Sequence, residues 1–258
     1  MKKAFLLGLA FALTAPASLS ADDLDSLVYY DVRGDFIVYY SESQLIAKHF
    51  AYTLSYNEEC EQPNWVAYKV TKERLYNPTC ERVDHFRKDP LIVTGSASNS
   101  DYASSGYSRG HLAPCGDMLW EWQAMDESFY LSNMSPQTQT FNGAGGTWWD
   151  LENQVREWVR ENDELCVVTG PVLDGDYVEW IGNNDVAVPK RFYKVILDPV
   201  EPDVKAVGFI LAQEDYDKDF RDYAVSVDEV EQVTGLDFFY SLPNSVEDEI
   251  EANEVCWP

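Results

Sequence analysis

The chain is 258 residues long, with a formal net charge of -26 at pH 7; 45% of its residues are hydrophobic and 14% aromatic. That composition can bury a sizeable core, which excludes a disordered chain, and the length suits one large domain or two small ones. The acidic balance runs against the basic footprint usual in nucleic-acid binders, so any polyanionic ligand would need a local basic groove within a repelling surface.

In chain order, the first residues read as a targeting segment. Lys2 and Lys3 make a basic end, Ala4 to Leu13 are apolar apart from Gly8, and small residues offer cleavage after Ala17 or near Ala21. The apolar run is too short to cross a bilayer, so the expectation is a signal peptide over residues 1–21 and a periplasmic or secreted product with no membrane association. With no repeat and no low-complexity linker, residues 22–258 read as one domain, with a loose lead-in to about residue 35 and an acidic tail from about residue 245.

Phe36–Tyr40, Tyr52–Tyr56 and Trp65–Val70 are β-branched and aromatic, hence strands, and alternation in the last two predicts half-burial. Residues 94–107 are rich in Ser, Gly, Asn and Ala and read as loop. Met118–Met125 predicts a short helix and Phe129–Asn133 a strand. From Gly146 to about Glu161 the pattern is helical, with Trp148, Leu151, Val155, Trp158 and Val159 on one face. Strands return at 165–169, 177–181, 191–197 and 204–211. A last helix starts at Ser226, with Glu229 completing a capping box, and stops at Gly235. The layout is α+β rather than a regular βαβ alternation.

The five cysteines are Cys60, Cys80, Cys115, Cys166 and Cys256, none with zinc-site spacing. In an exported protein disulfides are the default; Cys60 and Cys80, which flank a strand-like segment, are the expected pair, and Cys166 lies in an apolar run that suits the core.

Chemistry concentrates between Gly106 and Arg156. Gly106-Tyr107-Ser108-Arg109-Gly110 matches the G-x-S-x-G elbow of serine hydrolases. No buried apolar strand precedes it, however, and the only later histidine is His111, on the same turn. His111 follows a cation, Arg109, and a glycine; a neutral imidazole there can take a proton from water near pH 7. His49 and His85 lack that context and read as structural or surface residues. Asn142 fits an ordinary turn, but its carbonyl oxygen is also a hard ligand suited to Mg²⁺. Glu152 and Arg156, at i and i+4, would singly be an exposed ion pair; alongside His111 and Asn142 they complete a one-metal phosphodiesterase set.

Arg109-Gly110-His111-Leu112-Ala113-Pro114, then Ala124 to Asn133, then Asn142 with Trp148, Leu151, Glu152 and Arg156, resemble the DNA/RNA non-specific endonucleases, a family that includes secreted bacterial nucleases and mitochondrial endonuclease G. The resemblance runs from about Trp65 to Val188-Pro189 and Phe192, and on to Leu242. It implies a single-domain ββα-metal nuclease core with a mixed, mainly antiparallel sheet and flanking helices. It also implies His111 as general base, Asn142 as direct metal ligand and Glu152 as ligand to a metal-bound water, with Arg109 and Arg156 near the phosphate and Arg82 or Arg87 as a further upstream arginine. The family often has Asp where this chain has Ser108, a residue that bears on how the His111 loop is braced.

The expectation is a Mg²⁺-dependent hydrolase of DNA and RNA, with Mn²⁺ as substitute metal, 5′-phosphate products and no obligate protein partner. Two other classes stay open: a serine esterase using Ser108, and a non-catalytic polyanion-binding protein on the same fold. The candidates for a local basic groove are Arg82, Arg87, Lys88, Arg109, Arg156, Lys190, Arg191 and Lys194.

Overall fold

The computed structural model describes residues 38–39, 41, 44–200, 204–214 and 218–253. The expected leader and Cys256 lie outside the described residues, as does most of Phe36–Tyr40, of which Val38 forms an isolated bridge with Phe238. The strands are β1 (Leu45–Lys48), β2 (Tyr52–Asn57), β3 (Gln62–Thr71), β4 (Ser108–His111), β5 (Met134–Gln137), β6 (Glu164–Pro171), β7 (Tyr177–Ile181), β8 (Val186–Pro189), β9 (Arg191–Asp198), β10 (Lys205–Ala212) and β11 (Ala224–Val225). The helices are α1 (Lys72–Tyr76), α2 (Asn99–Tyr102), α3 (Trp122–Glu127), α4 (Gln139–Asn142), α5 (Thr147–Asn162), α6 (Val227–Thr234) and α7 (Asn244–Ala252).

Seven strands form one sheet in the order β1-β2-β3-β6-β9-β10-β11, every neighbouring pair antiparallel. Helices cover both faces, and the side chains sort by parity. From β3, Val66, Tyr68 and Val70 enter the cluster beneath α5, while Trp65 and Ala67 enter the cluster beneath α6 and α7. Leu165 and Val167 of β6 face α5, and Cys166 and Val168 face the other way. The expected half-burial of the early strands is therefore corrected: with apolar residues at both parities, β3 has no face to give to water.

α5 forms because its apolar positions recur every three or four residues; Trp148, Leu151, Val155, Trp158 and Val159 are all buried. α6 starts at the expected capping box, Ser226 Oγ accepting from Glu229 N at 3.2 Å, and ends at Gly235, whose φ of 70° is left-handed. The acidic tail is corrected to a helix, α7, because Ile250 repeats with Val246 and reaches the α6 cluster, placing Ile250 against the core.

Three further expectations change. Loop 94–107 holds the short helix α2, started by a Ser98–Asp101 capping box. The helix expected over Met118–Met125 begins only at Trp122, as α3, and a 3-10 turn at Cys115–Asp117 precedes the segment. Phe129–Asn133 is no strand: Leu131–Asn133 is a 3-10 turn and the strand follows as β5, because Asn133 spends its side chain on neighbouring backbone groups instead of projecting from a ladder.

The expected Cys60–Cys80 bridge is also corrected: neither Cys60 nor Cys80 is in a disulfide. Cys60 precedes β3, whereas Cys80 comes only after β3 and α1, and the two thiols meet different partners. Cys60 Sγ lies 3.3 Å from the Tyr177 hydroxyl, and Cys80 Sγ donates to the Leu119 carbonyl at 3.3 Å.

Truncating the α7 anchor tests this arrangement. Ile250→Ala is expected to lower unfolding free energy by about 2–4 kcal/mol in urea titrations. A loss below about 0.5 kcal/mol would return the segment to solvent.

Candidate active site

β4 and β5 form a two-stranded ribbon in which Gly110 stands opposite Ser135 and His111 opposite Met134. Gly110 is required by close approach, since a Cβ there would run into the Gln137 side chain. The chain after His111 is held by Asn133: its Oδ1 accepts from Ala113 N at 2.9 Å, and its Nδ2 donates to the Ala113 and Ser128 carbonyls at 2.9 and 2.8 Å. Leu112 N adds a bond to Asn133 O at 3.0 Å. These buried bonds fix where the imidazole points.

His111 is 9% exposed and lines the wall of an 820 Å³ cleft. Phe129 meets its ring edge-on at 4.9 Å and Phe86 lies at 5.7 Å. Its Nε2 is buried without a hydrogen-bond partner. Burial, then the positive charge of Arg82 and Arg109, pushes its pKa from 6.5 down to about 3, against the opposing pull of Asp84. The imidazole is therefore neutral, the form a proton acceptor needs.

The same cleft takes further side chains from β4 itself, from the segment after α1, and from α4 and α5. Arg109 stacks on Phe86, its guanidinium carbon 3.9 Å from the ring centroid, and donates to Asn99 Oδ1 at 2.7 Å. Arg82 lines the cleft and donates to Asp84 Oδ1 at 2.7 Å. Arg87, the other upstream candidate, is turned away: it pairs with Asp126 at 2.6 Å and stacks on Tyr130. Asn142 ends α4 and also lines the cleft. Glu152 and Arg156, one turn apart on α5, face each other at 3.9 Å.

Three groups beneath the cleft were not singled out as partners in the sequence reading. Asp117 is buried and accepts from Arg156 Nε at 2.6 Å, so the arginine is oriented from behind. Tyr68, from β3, touches the same carboxylate. Lys194, expected as a groove cation, instead occupies a core position between Phe192 and Ile196 on β9. It is fully buried, its ammonium 4.5 Å from the Trp148 ring centroid. Burial lowers Lys194 to about 8, while Glu152 and Asp117 act to raise it. Burial raises Glu152 from 4.5 to about 7 against the opposing pull of Arg156 and Lys194. Trp149, left off the apolar face by the periodicity, is 39% exposed and forms a further aromatic surface on the rim.

The groove is thus narrower than expected. Lys190 and Arg191 are paired with Asp176 and Asp174 at 2.6 and 2.7 Å, leaving Arg82, Arg109 and Arg156 of the named candidates on the cleft wall. The elbow geometry is not present: Ser108 is a strand residue whose hydroxyl donates to Gln139 Oε1 at 2.9 Å. His49 is buried against Asp89 at 2.9 Å, and His85 is exposed beside Asp126 at 2.8 Å, both as expected of structural or surface residues.

The donor set fits a hard divalent cation. The Asn142 carbonyl oxygen and the Glu152 carboxylate open onto one cleft with His111, and two protein oxygens leave most of a coordination shell to water, as Mg²⁺ prefers.

Two measurements check this geometry. In the metal-free protein the His111 ring resonances should not titrate between pH 8 and pH 5; a midpoint near 6.5 would contradict its burial. The linked stability has a definite sign: the unfolded chain takes up this proton near 6.5 and the native one only near 3, so stability present above 6.5 is lost as pH falls toward 3. Separately, Asp117→Asn should lower turnover by roughly ten- to a hundredfold with unchanged circular dichroism, since misplacing a clamp by an ångström has that scale of effect. Unaltered turnover would release Asp117 from any role in holding Arg156.

The model of the DNA/RNA non-specific endonuclease family matches residues 37–245. Among curated proteins, the chain is 37% identical over 217 residues to the mitochondrial nuclease EXOG of Danio rerio, covering 78% of this chain and 62% of that protein. It is 35% identical over 207 residues to EXOG of Homo sapiens, covering 74% and 56%. The chain thus spans about 60% of the length of these relatives. Among solved structures, that of an EndoG/EndoGI complex superposes with a TM-score of 0.70 at 30% identity, covering 88% of this chain and 95% of that one. These relatives correct the expectation of a periplasmic or secreted location, because both EXOG proteins are mitochondrial. The β4–β5 ribbon and α5 correspond to the ββα core that the resemblance implied, and the sheet is antiparallel in all its pairings among the described residues rather than mixed. The chain belongs to the DNA/RNA non-specific endonuclease family.

Proposed function

We propose that this protein is a Mg²⁺-dependent, sugar-non-specific endonuclease that hydrolyses phosphodiester bonds of DNA and RNA. The observation that carries the reading is the buried, neutral His111, whose unpartnered Nε2 shares a cleft with Asn142, Glu152 and three arginines. Both EXOG relatives are named nucleases, which supports it.

His111 Nε2 takes a proton from a water molecule, whose oxygen attacks phosphorus in line. The leaving 3′-oxygen departs and is protonated from solvent, giving 5′-phosphate and 3′-hydroxyl ends. Arg109 and Arg82 meet non-bridging phosphate oxygens from the ribbon side, and Arg156, held by Asp117, meets them from α5; the planar guanidinium suits phosphate. Asn142, directly, and Glu152, through water, would hold Mg²⁺ or Mn²⁺, which would supply charge neutralisation at the phosphate and the leaving oxygen. Phosphate contacts carry no sequence information, and Trp149 offers a stacking face that any base can use, so sequence preference is weak.

The test is plasmid nicking and RNA cleavage with Mg²⁺, with and without chelator. Cleavage that disappears with chelator and returns with Mg²⁺ is expected. His111→Ala is expected to cost about two to four orders of magnitude. Folded wild-type protein that binds polyanions without cutting would favour a binding role, and ester hydrolysis lost in Ser108→Ala would favour the hydrolase. A second comparison separates the two upstream arginines: Arg82→Ala should raise KM about tenfold, whereas Arg87→Ala should leave KM within about twofold. Equal effects would remove the distinction drawn from their positions.

A further inference from the structure

On the face of the sheet opposite α5, a second group of oxygen donors converges. Asp228 and Glu231 lie one turn apart on α6, and Glu251 comes from α7, the helix that packs against it. Their ligand atoms all lie within 4.8 Å of one another. That is the span across a single calcium ion, whose oxygen ligands bind at about 2.3–2.6 Å and so stand at most about 5 Å apart.

An acidic cluster alone carries little, since such groups are common on so acidic a surface. The second observation is the state of Glu251. It is 7% exposed, and its Oε1 is buried without a hydrogen-bond partner. A buried carboxylate oxygen left unpaired costs free energy that the fold must recover elsewhere. The charged neighbours acting on it are Glu231, Glu247, Asp228 and Asp237, all carboxylates that push its pKa the same way as burial, up to about 8. Nearby groups do little to relieve them. Glu231 Oε1 accepts from Phe238 N at 2.7 Å, and the α7 carboxylates Glu247 and Asp248 only add to the negative charge. No ion pair joins Asp228, Glu231 or Glu251 to a lysine or arginine among the described residues.

We infer that Asp228, Glu231 and Glu251 form a binding site for a structural divalent cation of the calcium class, which ties α7 to α6. The donor set is all oxygen, which excludes the softer metals. The burial is graded: Glu251 forms the floor, Glu231 is half-buried and Asp228 is exposed, so the open side leaves room for water to complete the shell. Ligands drawn from two separate helices suit the tolerant geometry of Ca²⁺ better than the strict octahedron of Mg²⁺. Its ion would neutralise the carboxylates where Ile250, Val230 and Phe238 pack, so it acts on the stability of the terminal helix and not on the chemistry of the cleft.

The experiment is thermal unfolding of the full chain against CaCl₂, comparing wild type with Glu251→Gln and Asp228→Asn. Wild type should gain roughly 5–10 °C at a hundredfold excess of Ca²⁺ over its Kd. Both variants should lose most of that gain. Without Ca²⁺, Glu251→Gln should melt at or above the wild-type temperature, because the substitution removes a buried charge from a repulsive cluster; its lost response is then not a folding defect. Any rise common to all three proteins belongs to the cleft, which the substitutions leave intact, and Mg²⁺-dependent nuclease activity should be the same in all three. An equal Ca²⁺ response in wild type and both variants, or no response in wild type at millimolar Ca²⁺, would overturn the site and leave Glu251 relieved by a proton alone.

Discussion

The apolar seam by which α5 lies on the sheet is the constraint on which the cleft depends. Trp148, Leu151, Val155, Trp158 and Val159 leave the helix a single way to sit, against Val66, Tyr68, Val167, Phe192 and Ile196. Once that rotation is fixed, Glu152 and Arg156 project along the edge of the seam toward the β4–β5 ribbon, where His111 and Arg109 already stand. The arrangement of the cleft is thus a consequence of two dockings, ribbon to sheet and helix to sheet, and neither docking uses a residue proposed to touch substrate.

The seam also sets the electrostatics. Its apolar side chains exclude water from the floor of the cleft, where Lys194, Glu152, Asp117 and Arg156 meet at low effective dielectric and act on each other strongly. Burial works on each group separately: it strips the proton from His111, keeps one on Glu152 to about pH 7 and weakens the hold of Lys194 on its own. A preorganised set of this kind can answer charge developing on a phosphate without waiting for solvent to turn. Under the proposed function it would also let a protein of net charge -26 receive a polyanion. Lys190 and Arg191 are paired with acids away from the cleft, whereas Arg82, Arg109 and Arg156 line it, where under the proposed function phosphate would be held.

Much of this was legible in the residues, for identifiable reasons. The 3.6-residue repeat of α5 and the Ser226–Glu229 box are local signals, and local signals survive folding. His111, Arg109, Asn142, Glu152 and Arg156 were read from order and family resemblance, and all five come to one cleft. Asp117 was hidden because its partner lies 39 residues away, and nothing local separates a buried ion-pair aspartate from a turn aspartate. Lys194 was misread because a lysine is assigned to the surface by default; only the parity of β9 places it between Phe192 and Ile196. The cysteine pairing failed because flanking one strand in sequence does not bring two thiols together: Cys60 meets Tyr177 and Cys80 meets Leu119. The acidic tail failed because charge dominated the reading of a segment whose few apolar residues, Val246 and Ile250, decide its fate.

The central claim is that His111 and the Asn142–Glu152 oxygen donors act on the same phosphate as one unit. Groups that act as a unit are not independent when removed. The most direct measurement is single-turnover cleavage of a short duplex by His111→Ala, Asn142→Ala and the double variant, at saturating Mg²⁺. The account predicts that the double variant is within about tenfold of the slower single variant, because either loss already disables the attack. A double variant slower by the product of the two single effects would show two independent contributions and would contradict a shared site.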